Sequence, residues 1–408
     1  MSAHKIAENW RDIATQLLKI GATAYGGPAI MGIMQTELQE KRQWVSKERF
    51  VEGLSLVNML PGATASQLSI FLGYARGGWW GGLLGGLCFV APGFFVLLAL
   101  TMGYAALGVT PVLRGALYGL GPVVMGIYLV AVYRLAKVAM SSRSQVLIAT
   151  AAATATLASP IGVASILLLA GGVGLWLFHS RKLGAAVLVL LAVCLSVVHI
   201  VARSAVVPGV AAAAGDPPAA SLFQVGAYLF KVGALTFGGG LTMIAFMQEQ
   251  VVSQFHWLTP EEFIDGLALG QFTPGPILMV AAYVGYKVAG VAGAVVGSAA
   301  AFLPSFVMML AILPALDRVR KLMWTRAALR GIAPAVIGIL AVSLVRLAPH
   351  ALPDLLAIAT LVATVVVLLV WRVATLKIML LGAVLGIARS RLFSLPGAKA
   401  VLSTVTRT

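Results

Sequence analysis

The sequence runs through twice, with the second copy about 212 residues after the first. Lys19-Ile20-Gly21-Ala22-Thr23-Ala24-Tyr25-Gly26-Gly27-Pro28 returns as Lys231-Val232-Gly233-Ala234-Leu235-Thr236-Phe237-Gly238-Gly239-Gly240. Leu60-Pro61-Gly62 meets Thr273-Pro274-Gly275, Pro92 meets Pro304, Arg134 meets Arg346 and Gly174 meets Gly386. Such a chain builds two similar units. In a membrane protein, Gly/Pro interruptions at matching places in two halves point to a transporter with its site between them.

Composition places the chain in a membrane. Hydrophobic residues make up 60% of 408, charged residues only 10%, and mean hydropathy is +0.98; a soluble domain carries about 25% charged residues. The apolar segments number about thirteen. Seven lie at 10–36, 50–73, 80–105, 111–133, 145–158, 160–178 and 183–201, and six at 222–249, 263–285, 290–316, 330–347, 352–371 and 376–391. Glu8, Trp10, Arg11 and Asp12 interrupt the apolar run a signal peptide needs, so no cleaved leader is expected. Cys88 and Cys194 lie inside apolar segments and read as packing residues. The net charge of +16 is scattered between spans without a basic stripe, which argues for cytoplasmic loop charge and against nucleic acid. No His-Glu-x-x-His, metal-ligand pair or nucleotide fingerprint occurs, so neither an enzyme nor a cofactor is expected.

The division is then a first repeat over 1–201, a linker at 202–221 and a second repeat over 222–408. Segment 183–201 has no counterpart. Loop 37–49 holds Lys41, Arg42, Lys47 and Arg49, whereas its counterpart 249–262 holds no Lys or Arg. The bias reverses at 317–330, which holds five basic residues against the lone Arg114 of 105–118. Basic loops stay cytoplasmic, so the repeats are expected to be inverted, with a cytoplasmic N-terminus. Arg389, Arg391, Lys399 and Arg407 count against this orientation. The expected fold is an all-α polytopic membrane protein. The first two segments of each repeat are re-entrant or broken, at Gly26-Gly27-Pro28 and Leu60-Pro61-Gly62 and at their counterparts. A Pro/Gly kink in an ordinary spanning helix is the alternative.

At these motifs the chain resembles a known family. Tyr25-Gly26-Gly27-Pro28-Ala29, Trp44-Val45-Ser46, Leu60-Pro61-Gly62-Ala63, Leu72-Gly73-Tyr74-Ala75-Arg76-Gly77-Gly78 and Phe89-Val90-Ala91-Pro92-Gly93 are similar to the signature blocks of chromate transporters, in their long two-repeat form. The resemblance implies a bacterial inner-membrane permease that exports chromate and confers resistance, with sulfate as the related oxyanion. Oligomeric state stays open, a homodimer included. Pro28 is answered by Gly240, and the first copy lacks a match for Pro276, so the two half-sites are not expected to be equal.

A helix N-terminus offers free N–H groups and about half a positive charge, so interrupted helices suit an oxyanion. The candidate starts are Pro28, Pro61, Gly240 and Pro276, within Tyr25-Gly26-Gly27, Gly62, Phe237-Gly238-Gly239 and Thr273-Pro274-Gly275. Asn58, Thr64, Gln67, Thr242, Gln271 and Thr273 are close enough in sequence to add hydrogen bonds, or to serve as caps. Lys19 and Lys231 precede the glycine motifs by about two turns inside apolar segments, where an ammonium needs a task or must snorkel. Glu37, Glu52, Glu249 and Asp265 are the repeated carboxylates, candidates for coupling or gating and otherwise for capping or ion pairing. A sulfate or other oxyanion carrier and a passive anion channel are the competing readings. Gly239 reads as a site residue and Gly174 as a packing position.

Overall fold

The computed structural model describes residues 2–25, 27–107, 110–158, 161–204, 221–315, 323–371 and 373–394, and no strand occurs among them. The first repeat contains α1 (Ser2–Thr23) and α2 (Gly27–Met34), which continues as a π-helix over Gln35–Lys41. Then come α3 (Lys47–Met59), α4 (Thr64–Leu107), α5 (Pro111–Ala139), α6 (Arg143–Ala158), α7 (Val163–Phe178) and α8 (Arg181–Ser204). The second repeat contains α9 (Leu222–Leu235) and a 3-10 turn at Gly238–Gly240. After it come α10 (Thr242–Met247) with its π-helix Gln248–Gln254, α11 (Pro260–Phe272) and a second 3-10 turn, Ile277–Met279. It ends with α12 (Val280–Ile312), α13 (Met323–Ala351), α14 (Leu355–Val366) and α15 (Thr375–Ser394).

The duplication reaches into local detail. The π-helices Gln35–Lys41 and Gln248–Gln254 fall at matching places, and each is followed by a left-handed residue, Gln43 (φ 52°) or His256 (φ 51°). Matching caps start the third helix of each copy: Ser46 accepts the Arg49 N–H, and Thr259 forms a capping box with Glu262 behind Pro260. Helix α8 is the unmatched span read at 183–201.

Helices α4 and α12 are each folded back on themselves. At Gly78 φ is 65° and ψ −154°; at Gly290 they are 60° and −151°, a conformation essentially reserved for glycine. The limbs then pack so closely that a side chain on Gly73 would strike the Gly81 carbonyl, and one on Gly285 the Gly293 carbonyl. Segments 50–73 and 80–105 are therefore the α3–α4 hairpin and the second limb of α4. By length and composition, Thr64–Leu107, Pro111–Ala139, Ile277–Ala315 and Trp324–Ala351 can cross a bilayer. The chain is a multi-pass membrane protein.

The first segments double back. Helix α1 stops at Thr23, and the chain returns through α2 so that Arg42 Nη1 and Trp44 Nε1 each lie 3.1 Å from the Asp12 carboxylate. Helix α3 and the first limb of α4 run antiparallel across Gly53 and Phe71, and Arg76 ends 3.8 Å from the same Asp12. In the second copy, the Tyr283 hydroxyl donates to the Glu262 carbonyl and Lys287 pairs with Glu262 at 2.7 Å.

The repeats are interwoven rather than side by side. Helix α5 packs on α15 and α14, while its counterpart α13 packs on α7 and α6. The exchange is reciprocal to single atoms. Arg134 donates to the Leu368 carbonyl and the matching Arg346 to the Thr156 carbonyl, each at 2.9 Å. The second limbs of α4 and α12 cross antiparallel, Gly82 near Leu310 and Gly86 near Phe306.

Candidate functional site: four interrupted helices

Each repeat has two breaks, and cross-repeat bonds bring all four together. Backbone in an apolar interior must find partners, and here the repeats supply them to each other. The Gly62 N–H donates to the Thr236 carbonyl at 2.6 Å, and the matching Gly275 N–H to the Ala24 carbonyl at 2.9 Å. Gly239 lies beside Thr64, and Gly240 beside Ile277 and Leu278. Two of the turns are fixed further. Thr242 Oγ1 accepts the Phe237 N–H at 2.6 Å and donates to the Phe237 carbonyl at 2.9 Å. Ser305, from α12, accepts the Ala63 N–H at 3.1 Å.

Most of the predicted site residues fall in this cluster. Gly62, Thr64, Gly240, Thr273, Pro274, Gly275 and Pro276 are buried at the meeting point, and Tyr25, Pro61, Phe237 and Gly239 are half-buried there. Gly238 is exposed. Gly26 lies outside the described residues; Gly27 and Pro28 begin α2. The helices begin later than the prolines suggested: α4 starts at Thr64 rather than Pro61, and α12 follows a 3-10 turn after Pro276. Gln271 reaches the Tyr128 hydroxyl on α5 at 3.0 Å.

Other predicted residues lie elsewhere. Asn58 is exposed on α3, and Lys19 and Lys231 point outward from α1 and α9. The lysines do keep equivalent surroundings, Lys19 within electrostatic reach of Glu37 and Lys231 of Glu249. Glu37 pairs with Lys41 at 2.6 Å and Glu52 with Arg49 at 2.9 Å. Glu249 accepts the Val163 N–H at 3.0 Å and so caps α7. Asp265 accepts the Tyr104 hydroxyl at 3.0 Å, beside a cavity of about 430 Å³ that Glu261, Lys287 and His350 also line.

Sequence reasoning passed over Ser305 and Ser66. Ser305 takes the place of Gly93 in the first copy, a difference visible once the repeats are aligned. Ser66 is fully buried in the first turn of α4.

The chromate transporter family profile matches residues 11–177 and 223–387, one region in each repeat. The chain is 30% identical to a chromate transport protein of Cupriavidus metallidurans, over 92% of each chain. It is 32% identical to a probable chromate transport protein of Synechococcus elongatus, over 86% of this chain and 87% of that one. It is also 32% identical to a chromate transport protein of Pseudomonas aeruginosa, over 83% of this chain and 81% of the relative. No solved structure matches. With one profile match on each interrupted half and relatives aligned along most of its length, the chain belongs to the chromate transporter family.

Proposed function

We propose that the protein is a secondary transporter that exports chromate across the bacterial inner membrane and so confers resistance, the oxyanion passing through the point where the four breaks meet. The observation that carries this reading is the pair of reciprocal backbone bonds, Gly62 to Thr236 and Gly275 to Ala24. They hold interrupted helices from both halves around one centre, beside first-turn N–H groups that have no preceding carbonyl to bond. Outward movement is favoured where the cell interior is negative, by about 2.3 kcal/mol per charge per 100 mV. Export therefore needs no coupled ion. A passive channel is the second reading, because the same centre would serve either.

The repeats are taken as inverted. The antiparallel crossing of the equivalent limbs of α4 and α12 supports this, as does the reversal of loop charge. In a background lacking Cys88 and Cys194, a cysteine at Lys47 is expected to react with an impermeant reagent from the cytoplasm and one at His256 from outside. Labelling of both from one side would end the inverted reading.

Uptake of labelled chromate into everted vesicles tests the function itself. Sulfate, molybdate and phosphate serve as competitors, and the pH gradient is collapsed in a parallel run. Saturable chromate uptake with trans-stimulation is expected; uptake without trans-stimulation would favour the channel. Lys19→Ala and Lys231→Ala, both on outward faces, are each expected to leave the uptake rate close to that of the wild type. A loss of about fivefold or more in either would return the lysines to the anion's path.

A further inference from the structure

Both repeats bring buried polar side chains to the centre where the four breaks meet, but among the described residues those left unpaired there belong to the first repeat. Helix α4 opens Thr64-Ala65-Ser66-Gln67, whereas the matching stretch reads Ile277-Leu278-Met279-Val280. Ser66 and Gln67 are both fully buried. Gln67 Nε2 donates to the Pro61 carbonyl at 2.6 Å, and this contact fixes which end of the amide carries the nitrogen. Its oxygen, Oε1, then has no hydrogen-bond partner, and neither does Ser66 Oγ. A buried polar atom left unpaired is costly, so two in succession at a helix start call for a ligand.

The kind of ligand follows from what each atom does. The first-turn N–H groups donate, as any oxyanion requires. Ser66 donates or accepts. Gln67 Oε1 only accepts: it repels a bare anionic oxygen and binds an O–H. Taking the chain as a chromate carrier, as proposed above, we infer that the site takes the oxyanion in its singly protonated form. Hydrogen chromate donates its O–H to Gln67 Oε1, while Ser66 and the α4 N-terminus hold its other oxygens. Chromate binds a proton near neutral pH and sulfate does not, so one acceptor separates two ions of the same shape. A site that leaves a buried polar group unpaired rejects the analogue that cannot pair with it. Desolvation scales with the square of the charge, so the monoanion crosses at about a quarter of the dianion's cost.

The test uses the full-length protein in proteoliposomes, with labelled chromate as substrate and sulfate as competitor across a pH series. For the wild type, the apparent KM for total chromate is expected to rise about tenfold per pH unit once the anion has lost its proton, following the shrinking competent fraction. Sulfate inhibition is expected to stay weak and flat with pH. Gln67→Met is expected to weaken chromate binding about tenfold at low pH and to narrow the gap to sulfate, with a smaller change in Ser66→Ala. A flat chromate KM in the wild type, or sulfate inhibition that shifts in parallel with it, would overturn the inference while leaving chromate transport standing. Absence of chromate transport at every pH would overturn the functional reading and the inference together. The wild-type series decides the matter even where a variant fails to fold.

Discussion

Gly62→Ala is expected to abolish transport in a protein that still reaches the membrane. The residue has φ of +126°, outside the range a side chain tolerates comfortably. A Cβ there would strike Ser305 Oγ and come within 2.6 Å of Gln67 Nε2. Relief requires the turn to move, and the turn holds the 2.6 Å bond from Gly62 to the Thr236 carbonyl in the other repeat. Backbone strain of about 1–3 kcal/mol plus a lost bond of about 1 kcal/mol corresponds, if it falls on the transport barrier, to a rate loss of about 30- to 1,000-fold. The check is initial chromate uptake per inserted protein, with Gly32→Ala as control, since a side chain at Gly32 meets nothing within 4 Å. Equal rates in the two variants would show that the turn has no part in the pathway.

The second large effect is on stability, at Gly174. A Cβ on this residue of α7 would lie 2.5 Å from the Ala327 carbonyl oxygen and 2.8 Å from the Gly331 nitrogen of α13. Both obstacles are backbone, so neither can rotate away. Overpacking of this kind costs about 3 kcal/mol, and Gly174→Ala is expected to lower the thermal midpoint of the detergent-solubilised protein by about 5 °C. Gly239→Ala meets only Thr64 Oγ1 at 3.8 Å, and its φ of 73° adds strain of about 1 kcal/mol. Its midpoint is expected to fall less. An unchanged midpoint in Gly174→Ala would mean that α7 and α13 do not meet at this distance.

That contrast shows where the sequence could be read and where it could not. The breaks were legible because glycine and proline mark them locally, and α8 because nothing in the second half answers it. Gly174 looked like ordinary packing because its near neighbours, Ala327 and Gly331, lie far along the chain in the other repeat. The fold-back at Gly77-Gly78 was legible as the gap between segments 50–73 and 80–105, though not as a reversal within two residues between limbs that stay helical up to it. The lysines misled in the opposite way: their exact repetition suggested a central place, yet repetition fixes only that both occupy equivalent surroundings, here an outward face beside Glu37 or Glu249. Gln67 was visible as one polar residue among several. Which of its amide atoms is unsatisfied depends on the Pro61 carbonyl and needed coordinates.

The interweaving of the halves also bears on how the protein is made. When residues up to Ser204 have left the ribosome, the α5 glycines Gly115 and Gly119 still await Gly382 and Gly386, and Gly174 still awaits Gly331. The first half therefore sits in the lipid with grooved, open faces until nearly the whole chain has been inserted, because its closing contacts are the most distant in sequence. Quality-control proteases would meet a truncated chain in that unfinished state, and α15, the last of the described helices, is the one that shuts the groove of α5.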